Sequence, residues 1–209
     1  MTVARAEMTT PLCAGNGLAY ARAMEGAPLE DSALMLRYQD GDTAAFEELY
    51  RRHKDALYRY FLRLGGDAAA AEDLYQEAWA KIIRARETYR PTAKFTTFLY
   101  RVAHNCFIDH VRRNQRHSRT AAVDPDTQPS QDESPEMHTE SQLARERLET
   151  ALKSLPDEQR DVFLLYEEAG LSMEEIAGVT GANREATKSR LRYAVRKLRA
   201  AIDEPEVET

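Results

Sequence analysis

Residues 171–198 read LSMEEIAGVTGANREATKSRLRYAVRKL. This stretch predicts two short helices joined by a tight turn. Ser172 is placed to cap the first helix, and Glu175, three residues on, completes a capping box. Ile176 and Ala177 supply an apolar side, the run from Gly178 to Gly181 breaks the helix, and Asn183 suits the start of the next. In that second helix Leu191, Ala194, Val195, Leu198 and Ile202 recur at helical spacing. Ser189, Arg190, Arg192, Tyr193, Arg196 and Lys197 fall on the other side. The pattern is a helix-turn-helix whose second helix has the chemistry to enter a DNA major groove. A charge run alone is usually a solvated helix face. Here cap, glycine turn and one-sided basic face coincide.

The chain has 209 residues, 43% hydrophobic and 31% charged, with a net charge of −6. That sign conflicts with DNA binding until the charges are mapped. From Lys81 to Arg119 the only acids are Glu87 and Asp109, and from Arg184 to Arg199 the only acid is Glu185. The compensating acid sits in 124–149 and in the tail 203–208. Two basic segments divided by an acidic one imply two DNA-facing surfaces. Cys13 and Cys106 lack metal-ligand spacing and make no disulfide framework. No apolar run reaches membrane-spanning length, and the N-terminus carries no basic-then-apolar signal. The expectation is a soluble cytoplasmic protein without membrane insertion.

Residues 1–30 lack periodicity and read as a disordered extension, with Met1 and Met24 both candidate starts. Helices are expected over 31–39 and 43–63, broken at Asp40-Gly41-Asp42. Phe46, Leu49, Tyr50, Leu57, Tyr60, Phe61 and Leu64 give the second a core face, and Gly65-Gly66 ends it. Over 67–86 the residues Leu74, Tyr75, Ala78, Trp79, Ile82 and Ile83 form a wide apolar face. Asp73, Gln76 and Glu77 sit together on the opposite one, which by itself is equally an ordinary solvated surface. A loop around Arg90-Pro91 leads to a helix over 96–113. Phe95, Leu99, Val102, Ala103, Cys106 and Phe107 are its buried side. Lys94, Arg101, Asn105, Ile108 and Arg112 form one line along its exposed side. With Tyr89 and Phe95 in or beside the loop, that line suits single-stranded DNA, or else is the surface stripe of a bundle.

The segment 118–139 is an acidic, Pro-containing linker without hydrophobic period. Helical pattern returns over 140–152. Leu155-Pro156 starts a further helix packed by Val162, Phe163, Leu164, Leu165 and Tyr166, and Gly170 ends it. Strand alternation is absent. The fold class is therefore all-α: two small helical domains joined by a flexible linker, the C-terminal one containing the helix-turn-helix, with an acidic tail over 203–209. No phosphate loop, zinc set or nucleophile elbow is present, the five histidines are dispersed, and neither a catalytic residue nor a cofactor is expected.

Three stretches resemble one family. Ala71–Ile83 (AEDLYQEAWAKII) is similar to the core-polymerase-binding helix of bacterial RNA polymerase sigma factors of the extracytoplasmic-function group. Phe95–Arg113 (FTTFLYRVAHNCFIDHVRR) resembles their promoter-melting helix. Leu152–Leu198 resembles their C-terminal domain, from Leu155-Pro156 through Glu175-Ile176-Ala177 to Lys188-Ser189-Arg190-Leu191. Trp79 stands where the family often has Phe, and Phe98 where it often has Trp. Glu185, Ala186 and Thr187 replace a usual Gly-Thr-Val. Thr187 points inward, so its hydroxyl needs a helix carbonyl partner.

The resemblance implies an alternative sigma factor, not an enzyme, nucleoid-associated when in holoenzyme. A region-2-like domain would span 31–117 and a region-4-like domain 140–202. The expected partners are core RNA polymerase (its largest and second-largest subunits) and promoter DNA. An anti-sigma factor is common in the family, though no residue here demonstrates one. Asp73, Gln76 and Glu77 would dock on the polymerase. Tyr89, Lys94, Phe95, Arg101, Asn105 and Arg112 would hold the melted −10 strand. Arg184, Lys188, Ser189, Arg192, Tyr193 and Arg196 would read the −35 duplex. The alternatives are a sigma-like mimic that never touches DNA and an ordinary helix-turn-helix regulator. The first should lack the basic and aromatic surface, and the second leaves the Asp73–Glu77 match unexplained.

Overall fold

The computed structural model describes residues 29–120 and 140–203. Most of the expected extension (1–28), most of the linker (121–139) and the tail from 204 lie outside the described residues. Every regular element among the described residues is helical.

The first group comprises α1 (Asp31–Gln39), α2 (Thr43–Gly65), α3 (Ala68–Arg84) and α4 (Phe95–Thr120). Short-range chemistry sets their ends. Asp42 caps α2 by accepting from the Ala45 amide at 3.3 Å, and Gly66, at φ 70°, closes it in the left-handed conformation that glycine adopts without strain. Asp67 caps α3 by accepting from Ala69 and Ala70 at 3.1 and 3.3 Å. The core is made by Leu49, Leu57 and Phe61 of α2, Leu74, Ala78 and Ile82 of α3, and Leu99, Ala103 and Cys106 of α4. Each buried Leu, Ile or Phe there stabilises the bundle by about 1.5–3 kcal/mol.

Three expectations need correction in this group. The α4 helix continues to Thr120, past the expected end at Arg113, because neither Gly nor Pro follows before Pro125. Ile83 and Tyr50 are exposed. Ile82 takes the buried position on α3, and the Tyr50 hydroxyl instead accepts from Tyr75 at 3.0 Å.

The second group comprises α5 (Glu140–Lys153), α6 (Asp157–Glu167), α7 (Met173–Thr180) and α8 (Arg184–Asp203). Ala151, Leu152 and Leu155 pack on Ala194 and Leu198, with Leu148, Phe163 and Ala201 around them. Ile202 and Tyr166, expected in the core, are 44% and 45% exposed. On an ideal helix Ile202 lies about 80° round the axis from Ala194, against about 20° for Ala201. The smaller residue is therefore the one that packs, half-buried, against that core.

The two groups do not stand apart as beads on a tether. The helices from α1 to α8 form one compact unit, with α2 against α6 and α4 against α7.

Candidate nucleic-acid interface

The helix-turn-helix is built by bonds that span no more than four residues. Ser172 accepts from the Glu175 amide at 3.3 Å, and the Glu175 carboxylate accepts from the Ser172 amide at 2.8 Å. These bonds to Ser172, with lesser help from Lys94 and Thr97, hold the Glu175 carboxyl down at about 2. Gly178 lies inside α7, contrary to the expected break there. The helix ends at Gly181, which takes φ 70°. Asn183 then accepts from the Ala186 amide at 2.7 Å and starts α8.

Thr187 is fully buried and donates to the Asn183 carbonyl at 3.0 Å, the partner that its inward direction requires. Ala194 and Leu198 continue that inward face. Arg184, Arg192, Tyr193 and Arg196 are exposed on the other, while Lys188 and Ser189 are half-buried at its edge. The Arg196 guanidinium lies over the Tyr193 ring at 4.9 Å, which holds two flexible groups in one orientation. Glu185 is engaged by Lys188 at 3.0 Å, and that contact keeps its carboxyl below the usual range. The negative charge on this helix is thus partly compensated from within it.

Lys94, just before α4, and Arg101, Asn105 and Arg112 on α4 fall on one exposed line. The structure does not expose Tyr89 or Phe95, which are 3% and 1% accessible. The two rings bracket the loop and seat it against the bundle, Tyr89 packing on Phe98 at 5.2 Å and Phe95 on His53 at 5.4 Å. Neither offers a face to a base, contrary to expectation, because burying the rings at both ends is what anchors a loop without regular structure.

The line on α4 faces the second group. Lys94 pairs with Glu175 at 3.2 Å, and a Cβ on Gly178 would stand 3.7 Å from the Arg101 guanidinium. Asn105 and Arg112 line a cleft of about 910 Å³ whose far wall includes Asp157, Glu158, Asp161 and Val179.

Asp73 and Gln76 are exposed on α3, and Gln76 donates to Glu72 at 2.9 Å. Glu77 is engaged within the fold, by Lys81 at 2.8 Å and Arg113 at 3.1 Å, which holds its carboxyl low.

One cluster was not anticipated from the sequence. Asp161 is 3% exposed and accepts from the Tyr60 hydroxyl at 2.6 Å and from the His104 ring nitrogen Nδ1 at 2.7 Å. Burial, and then the neighbouring Asp161 charge, push the Tyr60 hydroxyl well above its ordinary pKa, so it remains a donor. The available signal was an acid on an apolar face: Asp161, Leu164, Leu165 and Glu168 recur at i, i+3, i+4 and i+7.

Residues 49–117 match the family model described as Sigma-70 region 2, and residues 151–200 match Sigma-70, region 4. The chain is 37% identical over 174 residues to the ECF RNA polymerase sigma factor SigE of Mycolicibacterium smegmatis, covering 81% of this chain and 67% of that one. Its fold is similar to CnrH in complex with the cytosolic domain of CnrY, at a TM-score of 0.61 and 24% identity over 83% of this chain and 97% of that one. It is also similar to the sigma factor RpoE bound to the anti-sigma factor NepR from Bartonella quintana, at a TM-score of 0.60 and 22% identity over 77% and 98%.

Proposed function

Because the chain belongs to the extracytoplasmic-function group of RNA polymerase sigma factors, we propose that it reads its promoter with two surfaces, one for duplex and one for melted strand. The region over 140–202 would read the −35 element as duplex. The observation that carries this is the division of α8: Thr187, Ala194 and Leu198 are buried while Arg184, Arg192, Tyr193 and Arg196 stand in solvent. An α-helix fits the major groove, and an arginine reaching a guanine can make two parallel hydrogen bonds. Lys188 and Ser189 lie near enough to the same face to contact phosphates or base edges.

The region over 31–117 would hold the melted −10 strand on α4. Lys94, Arg101 and Arg112 carry charge for phosphates, and Asn105 offers an amide to a base edge. Asp73, Gln76 and Glu77 on α3 would dock on core polymerase. Acidic groups suit that contact because they do not compete for DNA phosphate. The RpoE relative is held by an anti-sigma factor. A protein of that class is a further candidate partner for this chain.

Run-off transcription with core polymerase and this protein alone tests the division. Scrambling the −35 element should abolish closed-complex formation. Substituting the −10 element should leave that complex intact and prevent the strand opening detected by permanganate. Equal transcription from templates lacking the −35 element would sink the duplex assignment.

A further inference from the structure

One acid stands in the middle of the basic face of α8. On an ideal helix Glu185 lies about 180° round the axis from buried Ala194, and within about 20° of Arg192 and Arg196. Arg184 and Tyr193 flank it, each about 80–100° away. The Glu185 side chain is 82% exposed and meets Lys188, one turn on, at 3.0 Å. That contact holds its carboxyl below the usual range, so it is ionised at neutral pH and can only accept hydrogen bonds.

Two ordinary roles leave this placement unexplained. The helix already has its cap, because Asn183 accepts from the Ala186 amide at 2.7 Å. An acid in a first turn favours the helix dipole wherever it lies round the axis. Neither role calls for an acid at the centre of the outer face. Arg184, in the same turn, is drawn aside to Glu174 of α7 at 2.7 Å, which leaves the Glu185–Lys188 pair at the leading end of the exposed line.

When the outer face of a helix enters a major groove, its flanks meet the phosphate walls and its centre meets the base edges. A carboxylate is repelled at the walls. On the groove floor it needs an N–H donor, and cytosine N4 and adenine N6 are the two that the bases supply there. Adenine N6 lies between two acceptors, its own N7 and O4 of the paired thymine, and both repel a carboxylate. Cytosine N4 has an acceptor on one side only, O6 of the paired guanine. Lys188 fits that acceptor. The N4 donor and O6 acceptor of a C·G pair stand about 2.9 Å apart, the length of their own hydrogen bond. The Glu185 oxygen and the Lys188 nitrogen are 3.0 Å apart. Acceptor thus meets donor, and donor meets acceptor, at matching spacing.

We propose that Glu185 and Lys188 together read one C·G base pair of the −35 element, Glu185 accepting from cytosine N4 and Lys188 donating to guanine O6 or N7. This rests on the assignment of α8 to the −35 duplex. It adds a test that the arginines cannot make: Arg192 and Arg196 carry only donors and sense acceptors, whereas Glu185 senses a donor.

The experiment uses holoenzyme assembled from core polymerase and the full-length chain, bound to a promoter library with a randomised −35 element, and the bound and unbound DNA is sequenced. Wild type is compared with Glu185→Ala, Glu185→Gln and Lys188→Ala, with circular dichroism as the check on helix content. Wild type should prefer C·G at one −35 position by about 5- to 150-fold. Glu185→Ala should lose that preference and keep the profile elsewhere, and Lys188→Ala should weaken it at the same position. Glu185→Gln, whose carboxamide can pair with adenine N6 and N7, should move the preference there toward A·T. A wild-type base profile in Glu185→Ala, with overall affinity either unchanged or uniformly raised, would overturn the proposal and leave α8 as the −35 reader. Losses at two different positions in the two alanine variants would overturn the shared base pair. Absence of any −35 preference in the wild-type holoenzyme would instead overturn the duplex assignment on which the pair depends.

Discussion

Reversing the charge at Asp73 tests docking on core polymerase in a way that the same change at Glu77 does not. Among the described residues Asp73 makes no hydrogen bond or ion pair and is exposed on α3. An Asp73→Arg change should therefore alter folding stability by no more than about 0.5 kcal/mol. Glu77 pairs with Lys81 at 2.8 Å and Arg113 at 3.1 Å, with side-chain accessibilities of 31%, 33% and 55% for the three groups. Solvent at these accessibilities limits each pair to about 0.2–1 kcal/mol. Glu77→Arg loses both pairs and sets a third cation beside them, so it should cost about 1–3 kcal/mol of stability before any partner is considered. At an interface, a charge that loses its partner typically costs about 2–5 kcal/mol, and 2 kcal/mol is roughly a 30-fold loss of affinity. Urea unfolding followed by circular dichroism supplies the first quantity, and titrated co-purification with core polymerase supplies the second. Asp73→Arg should unfold like wild type yet bind core at least about 30-fold more weakly. Wild-type stability together with undiminished co-purification would refute the assignment of this face.

Four further outcomes are expected. Arg192→Ala should relax specificity at one −35 position by about 1–3 kcal/mol if its guanidinium grips a base, whereas a uniform loss across mobility-shift templates would make it a phosphate contact. Leu198→Ala, in the core between α5 and α8, should cost about 2–5 kcal/mol by chemical denaturation. Thr187→Val should change stability by less than about 1 kcal/mol, because the Asn183 carbonyl keeps its bond from the residue 187 amide at 3.0 Å; a loss near 3 kcal/mol would contradict that account. The Glu175 carboxyl lies at about 2 against an ordinary 4.5, so its contribution is complete above pH 4.5 and fades as the pH falls from there toward 2. In acid titrations followed by circular dichroism, Glu175→Gln should remove that part of the pH dependence, and an unchanged profile would exclude it.

Much of the site was legible because it depends on neighbours in the chain. The Ser172–Glu175 capping box, the Asn183 start of α8 and the Thr187–Asn183 bond each close within four residues, so residue type and spacing are sufficient to predict them. The same holds for the line of Lys94, Arg101, Asn105 and Arg112, which follows from helical geometry alone. Where spacing failed, a rival for the same place decided the outcome. Ala201 displaced Ile202 from the core, Gly181 rather than Gly178 ended α7, and Tyr89 and Phe95 were drawn inward to anchor a loop.

The sequence by itself determined an all-α chain, the helix-turn-helix and its basic outer face, through interactions that reach a single turn of helix. Only the tertiary structure decided which way the α4 line faces and what satisfies Asp161, since its partners Tyr60 and His104 lie 101 and 57 residues away. A pattern of residue types records which face of a helix is polar. It does not record what that face meets. That depends on how two bundles dock, and here they dock in part through Asp161, whose place on an apolar face is legible in the sequence but whose partners across the seam are not.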